Sequence, residues 1–129
     1  MPHMSIEYSP GMEENADMAA FCTTIHDAMR AEAIFPLAGI RVRAYRADHA
    51  IVADGLPENG FVALTLTVGA GRATEVLQEV GNRIFAAAKA ALAEPLSTTH
   101  FALSLQIRVT DPDLSWKATP IHQRLSKPE

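Results

Sequence analysis

The chain opens Met1-Pro2-His3-Met4-Ser5-Ile6-Glu7-Tyr8, and the reading of these eight residues decides the fold. Met4, Ile6 and Tyr8 alternate with His3, Ser5 and Glu7, the period of a half-buried strand. Proline after the initiator is small enough that methionine removal is expected, which leaves a secondary amine at the start of that strand. A terminus usually frays, but a strand inside a sheet holds such an amine in a fixed place. The plain alternative is that Pro2 marks nothing beyond the start of translation.

Working outward, Ser9-Pro10-Gly11 is a turn, and residues 12–33 carry Met18, Phe21, Cys22, Ile25, Ala28 and Met29 at helical spacing. Asp17 and Glu13-Glu14-Asn15 put acids and a cap candidate near the helix start. After Pro36, a second strand runs over residues 40–45, with Ile40, Val42 and Ala44 on one face and Arg41, Arg43 and Tyr45 on the other. Strand, helix, strand in about forty residues is a βαβ unit with parallel strands.

Turn formers fill residues 47–59, and then the pattern recurs. Residues 61–68 alternate as a third strand and Gly69-Ala70-Gly71 turns the chain. An alanine-rich helix over 73–93 follows, with Val76, Val80, Ile84, Ala87 and Ala91 along its stripe. Pro95 is expected to stop it, before a fourth strand over 101–109. Sliding the second half back by 59 positions lays Phe61 on Pro2 and Pro95-Leu96 on Pro36-Leu37, a duplication judged from element order. Glu13 then falls on Arg72, and His100 on Arg41. Only the first half supplies a terminal amine, and only the second an arginine where its turn enters the helix.

The fold expected is α+β, one domain over residues 1–129, with repeat halves 2–46 and 60–109 and a tail over 110–129. A four-stranded mixed sheet carries two helices on one face. Its other face is expected to be apolar enough that subunits associate. The tail, with Leu114, Trp116 and Ile121, is expected to reach a neighbouring subunit or to return over the sheet end.

The 129 residues, 48% hydrophobic and 20% charged, are ordinary for a globular chain and exclude disorder and fibre. A net charge of −4 without a basic block argues against nucleic acid. A lone cysteine, Cys22, suits a reducing cytoplasm and reads as buried filler. No apolar run approaches the roughly 18 residues of a membrane span, and no signal peptide is read at the start. The five histidines show no H-x-x-x-H pair, so neither a metal nor any other cofactor is expected. Gly69-Ala70-Gly71 lacks the rest of a dinucleotide fingerprint.

Met1-Pro2-His3, Phe35-Pro36-Leu37-Ala38-Gly39-Ile40-Arg41, Ala53-Asp54-Gly55 and Gly69-Ala70-Gly71-Arg72 stand in this order across nearly the whole chain. In these pieces the sequence resembles the tautomerase superfamily, and more closely the 5-carboxymethyl-2-hydroxymuconate isomerase family. The resemblance implies a cytoplasmic homotrimer with an active site at each N-terminus. It also implies cofactor-independent ketonisation of an anionic dienol acid in homoprotocatechuate degradation, a branch of aromatic compound catabolism. Pro2 would shuttle the proton, since a base works best with a pKa near the working pH. An α-amino group titrates at about 7.7–8.0 and falls further near cations or in apolar surroundings. Arg41 and Arg72 would bind substrate carboxylates through guanidinium forks, with Arg43 as a third candidate. His3 is either a substrate contact or an interface histidine. Phe35 and Trp116 read as packing before pocket wall. Two other functions fit the same residues: a superfamily enzyme for a different enol acid, and a trimeric binding protein with an idle pocket.

Overall fold

The computed structural model describes residues 2–126; Met1 and residues 127–129 lie outside it, so the expected loss of Met1 falls outside the described residues. Strand β1 (His3–Tyr8) is followed by a 3-10 turn at Met12–Glu14 and helix α1 (Met18–Arg30). A second 3-10 turn at Leu37–Gly39 leads into β2 (Arg41–Arg46). The second unit is β3 (Gly60–Gly69), α2 (Thr74–Ala91), a short helix α3 (Ala93–Leu96) and β4 (Phe101–Thr110). The tail adds a 3-10 turn at Pro112–Leu114 and helix α4 (Pro120–Ser126).

The strands lie in the order β2-β1-β3-β4. Strands β1 and β2 are parallel, β3 and β4 are parallel, and β1 meets β3 antiparallel. This is the four-stranded mixed sheet of two βαβ units that the alternation and helical stripes predict. Both helices cover one face, and the core between them is Met4 and Ile6 of β1, Val62, Leu64, Leu66 and Val68 of β3, Phe21, Ile25 and Met29 of α1, and Val80, Ile84 and Ala88 of α2. Burial of this apolar face is the main favourable contribution to folding.

Several boundaries differ from expectation for local reasons. The first helix starts at Met18 because Asp17 caps it, its carboxylate accepting from the Ala20 N–H at 2.9 Å; the preceding acids form a separate 3-10 turn. In α2 the buried stripe is Leu77, Val80, Ile84 and Ala88, with Val76 exposed. The run of alanines left the facing side ambiguous, and tertiary packing chose the larger leucine. Pro95 does not stop α2, which ends at Ala91; it sits inside the next helical turn, α3. A proline at the third position of a helix lacks only an N–H that has no partner there anyway.

The second sheet face is a correction of substance. It presents His3, Ser5 and Glu7 from β1, Arg43 and Tyr45 from β2, Thr65 and Thr67 from β3, and Ser104, Gln106 and Arg108 from β4. Phe61 and Ala63 interrupt it, but the face is mainly polar, not the apolar surface expected. Apolar exposure is concentrated elsewhere: Trp116 is 85% and Leu114 70% accessible, so Trp116 neither packs nor walls a pocket within its own chain. The tail takes the second of its two expected courses. It leaves the C-terminal end of β4, crosses the sheet end and docks α4 on the Leu37–Gly39 turn that leads into β2.

One ion pair joins the units. Glu32, buried just after α1, receives two hydrogen bonds from Arg83 of α2, at 2.9 and 2.7 Å. The fork geometry compensates the desolvated carboxylate.

Ile84, fully buried where α2 faces the sheet, tests the packing. Ile84→Ala is expected to lower unfolding free energy by about 2–5 kcal/mol, read from chemical denaturation.

Candidate active site

Because β1 lies between two partners, its first residues are held at the sheet end. Pro2 is fully buried, and its carbonyl accepts the Arg41 N–H at 3.1 Å. In register, His3 stands opposite Arg41 on one side and Thr67 on the other. The N-terminal ends of β1 and β2 and the C-terminal ends of β3 and β4 therefore meet in one place. The parallel pairing within each unit and the antiparallel pairing between units make this gathering unavoidable.

Arg41 turns its guanidinium back along the incoming turn, with Nη1 donating to the Ala38 carbonyl at 2.7 Å and to the Ile40 carbonyl at 3.1 Å. Among the described residues the guanidinium makes no further hydrogen bond, and a guanidinium has five N–H donors. Arg41 thus keeps donors for an anion while two carbonyls hold it still.

Arg72 reaches the same end of the sheet by another route. Gly71, at φ 109°, takes a left-handed conformation that suits glycine and swings the chain toward α2. Arg72 then donates to the Gly69 carbonyl at 3.3 Å and the Ile34 carbonyl at 2.9 Å, with its guanidinium 5.8 Å from the centre of the Phe35 ring. It clamps the second unit's turn to the segment that leads into β2. Phe35 itself is core. Arg72 stands just before the α2 N-terminus, where unpaired amides add to a positive field.

Arg43 pairs with Ser5 and is exposed on the polar sheet face, two residues away from this end. It is not gathered with Pro2, but it acts on His3. Burial first, then the positive charges of Arg43 and Arg41, hold the His3 imidazole below its ordinary pKa. His3 Nε2 is buried without a hydrogen-bond partner among the described residues. Burial raises the Cys22 thiol, which is partly buried against the core and is a poor nucleophile there.

Two residues that the sequence did not single out complete this end of the sheet. Gly39 packs against Pro2, and α4 brings His122 to the same glycine. A side chain added at residue 39 would lie 3.1 Å from Pro2 Cδ and 3.7 Å from His122 Nε2. No spacing rule connects residues 2, 39 and 122; only the return of the tail does. A cavity of about 430 Å³ lies at the opposite end of the sheet, lined by Met12, Asn59, His100 and Phe101. Pro2, Arg41 and Arg72 are not part of it, and its carboxylates Glu14, Glu58 and Glu94 would repel an anion. His100, the counterpart of Arg41 in the repeat, is engaged there with Asn59 at 3.0 Å.

With Pro2 freed of Met1, this arrangement offers a buried amine, an arginine with spare donors, a second arginine nearby, and a neutral histidine. It suits proton transfer on an anionic molecule. A profile described as 5-carboxymethyl-2-hydroxymuconate isomerase matches residues 2–125. The 5-carboxymethyl-2-hydroxymuconate Delta-isomerase of Escherichia coli is 35% identical over 122 residues, which cover 95% of this chain and 97% of that protein. A crystal structure of a 5-carboxymethyl-2-hydroxymuconate delta-isomerase superposes with a TM-score of 0.89 at 34% identity, covering all of this chain (100%) and 95% of the other. A 5-carboxymethyl-2-hydroxymuconate isomerase from Deinococcus radiodurans R1 gives 0.88 at 34% identity, over 95% and 92% of the two chains.

The His3 environment predicts a pH effect on stability. A lowered folded-state pKa means that the unfolded chain binds the proton more tightly, so stability falls as pH drops through the unfolded value of about 6.5. Between about pH 7 and 5.5, His3→Gln should lose less unfolding free energy than the wild type. Urea midpoints at the two pH values check this, and equal losses would contradict it.

Proposed function

The chain belongs to the 5-carboxymethyl-2-hydroxymuconate isomerase family, and on that premise we propose that it converts 5-carboxymethyl-2-hydroxymuconate to its unsaturated ketone through Pro2. It is an isomerase, and the reaction moves a proton and a double bond without net redox change. The observation that carries the reading is the buried Pro2 tied to Arg41 at the end of the sheet.

With Met1 removed, the Pro2 nitrogen is a secondary amine; with Met1 retained it is an amide and no base. The neutral amine takes the proton from the enol oxygen. The electron pair left on oxygen forms the carbonyl, the conjugated double bonds shift, and the distal carbon takes a proton back from the same ammonium. One base thus serves both transfers, which requires a pKa near the working pH. Burial of Pro2 and the positive charge of Arg41 both disfavour the ammonium form and push in that direction.

The arginines hold the substrate's carboxylates. Arg41 retains donors not used by the Ala38 and Ile40 carbonyls, and charge-assisted hydrogen bonds to developing negative charge strengthen in the transition state. Arg72 adds positive charge from the second unit, although part of its donor set is spent on Ile34 and Gly69. His3, opposite Arg41 at the start of β1, is a further candidate contact, while Arg43 acts at a distance through its charge on His3. The reaction belongs to homoprotocatechuate degradation in this reading, in the reducing cytoplasm that a lone cysteine suits. The active form is a homotrimer, in which exposed Leu114 and Trp116 are covered by neighbouring subunits.

Protein with Met1 removed, verified by mass spectrometry, should turn over 5-carboxymethyl-2-hydroxymuconate in an ultraviolet assay, and protein retaining Met1 should be inactive. Equal activity of both forms, or Pro2 fully protonated in active enzyme at about pH 7.5, would rule out the amine as base.

Arg41→Ala is expected to cost about 1.5–3 kcal/mol in kcat/KM, roughly 10- to 150-fold, and to lower the melting temperature as its bonds to the Ala38 and Ile40 carbonyls are lost. Arg72→Ala should lower kcat/KM and the melting temperature together, because its carbonyl bonds are lost too. Unchanged kinetics in either variant would remove that arginine from the site.

A further inference from the structure

Helix α4 carries a histidine that the reaction scheme above does not use. His122 and Thr119 are partly buried in a mostly exposed tail, and the His122 ring lies beside Gly39, near Pro2. The contact depends on the missing side chain at residue 39: a Cβ there would stand 3.1 Å from Pro2 Cδ, 3.6 Å from His122 Cε1 and 3.7 Å from His122 Nε2. Glycine is the residue that lets proline and imidazole share this space.

The imidazole is also oriented. Thr119 Oγ1 accepts the His122 backbone N–H at 3.2 Å and lies 2.8 Å from His122 Nδ1. The Thr119 hydroxyl can donate to Nδ1 or accept from it through its second lone pair, so the contact orients the ring in either tautomer. When the hydroxyl donates, Nδ1 is the acceptor and the ring proton of the neutral tautomer sits on Nε2, which lies 3.7 Å from the Cβ position of residue 39. Pro120, the first residue of α4, separates the two partners and starts the turn that brings them together.

We propose that His122 is a substrate-binding residue of the Pro2 site, its Nε2–H donating to a carboxylate of the anionic substrate, with Thr119 as the positioning residue that holds the ring by donating to Nδ1. The proposal rests on Pro2 marking the place where substrate sits, and it gives the tail a function. A donor on the tail also explains why the chain continues past β4 with so little apolar burial: α4 docks through its contact with the Leu37–Gly39 turn, not through a core of its own.

The test uses the full chain with Met1 removed, comparing wild type, His122→Ala, His122→Gln and Thr119→Val. Steady-state turnover of 5-carboxymethyl-2-hydroxymuconate gives KM and kcat. Calorimetry with the saturated tricarboxylate 2-(carboxymethyl)hexanedioate gives affinity independently of chemistry, and thermal melting controls for folding. His122→Ala should raise KM and weaken the analogue by about 10-fold or more, with a smaller change in kcat. His122→Gln, which keeps an N–H near the Nε2 position, should recover most of the loss, and Thr119→Val should fall between. Unchanged KM and analogue affinity in His122→Ala would overturn the proposal. So would a glutamine variant as impaired as the alanine variant with an equal drop in melting temperature, since that marks packing of the tail alone. If the wild type binds the analogue without turning over substrate, the isomerase reading fails while the calorimetric comparison still decides on His122. An inactive wild type that does not bind the analogue overturns both.

Discussion

The constraint on which the rest of the structure depends is the inner position of β1. A first strand at a sheet edge would leave its leading residues free to fray; between β2 and β3 it is held along both sides from His3 onward. The Pro2 carbonyl is tied to Arg41, and its ring is packed against Gly39. A proline at this point costs the sheet little, because the missing N–H falls at the strand's first position.

From that constraint the division between the two units follows. Shifted by 59, α1 falls on residues 77–89, within α2, so the units share one construction. They differ in what their turns present. The first ends in Arg41, whose guanidinium lies along the backbone next to Pro2; the second begins its helix behind Arg72, which reaches back to Ile34 and Phe35. The Glu32–Arg83 pair joins the same units from the helix side. In this way the charged groups at the site are braced by carbonyls and by the opposite unit, which favours a preorganised site over one assembled by side-chain rearrangement.

Much of this was legible in one dimension because strands and helices announce themselves through periodicity. The alternation of Val62, Leu64, Leu66 and Val68, and the spacing of Phe21, Ile25 and Met29, are local signals and both are buried as read. Pro2, Arg41 and Arg72 stood out because their residue types fit the chemistry of an anionic enol, and the fold gathers them at one sheet end. Where local pattern was degenerate it misled. The alanines of α2 did not select a face, Pro95 was compatible with a helix start as well as a stop, and Trp116 proved exposed despite its apolar character. The second sheet face was misjudged because alternation shows that a face differs from its partner, not that it is apolar.

The amino-acid sequence by itself determined the elements, their duplication and the chemistry available at Pro2, since each depends on the identity and period of neighbouring residues. Tertiary structure alone decided which groups meet. Residues 2, 39 and 122 adjoin only because β1 is an inner strand and the tail returns over the sheet end. Arg43 shares a sheet face with Arg41 but stands opposite Ser5 instead of His3, one step further from the sheet end along β2. Proximity between distant residues is set by strand order and packing, to which no local period corresponds.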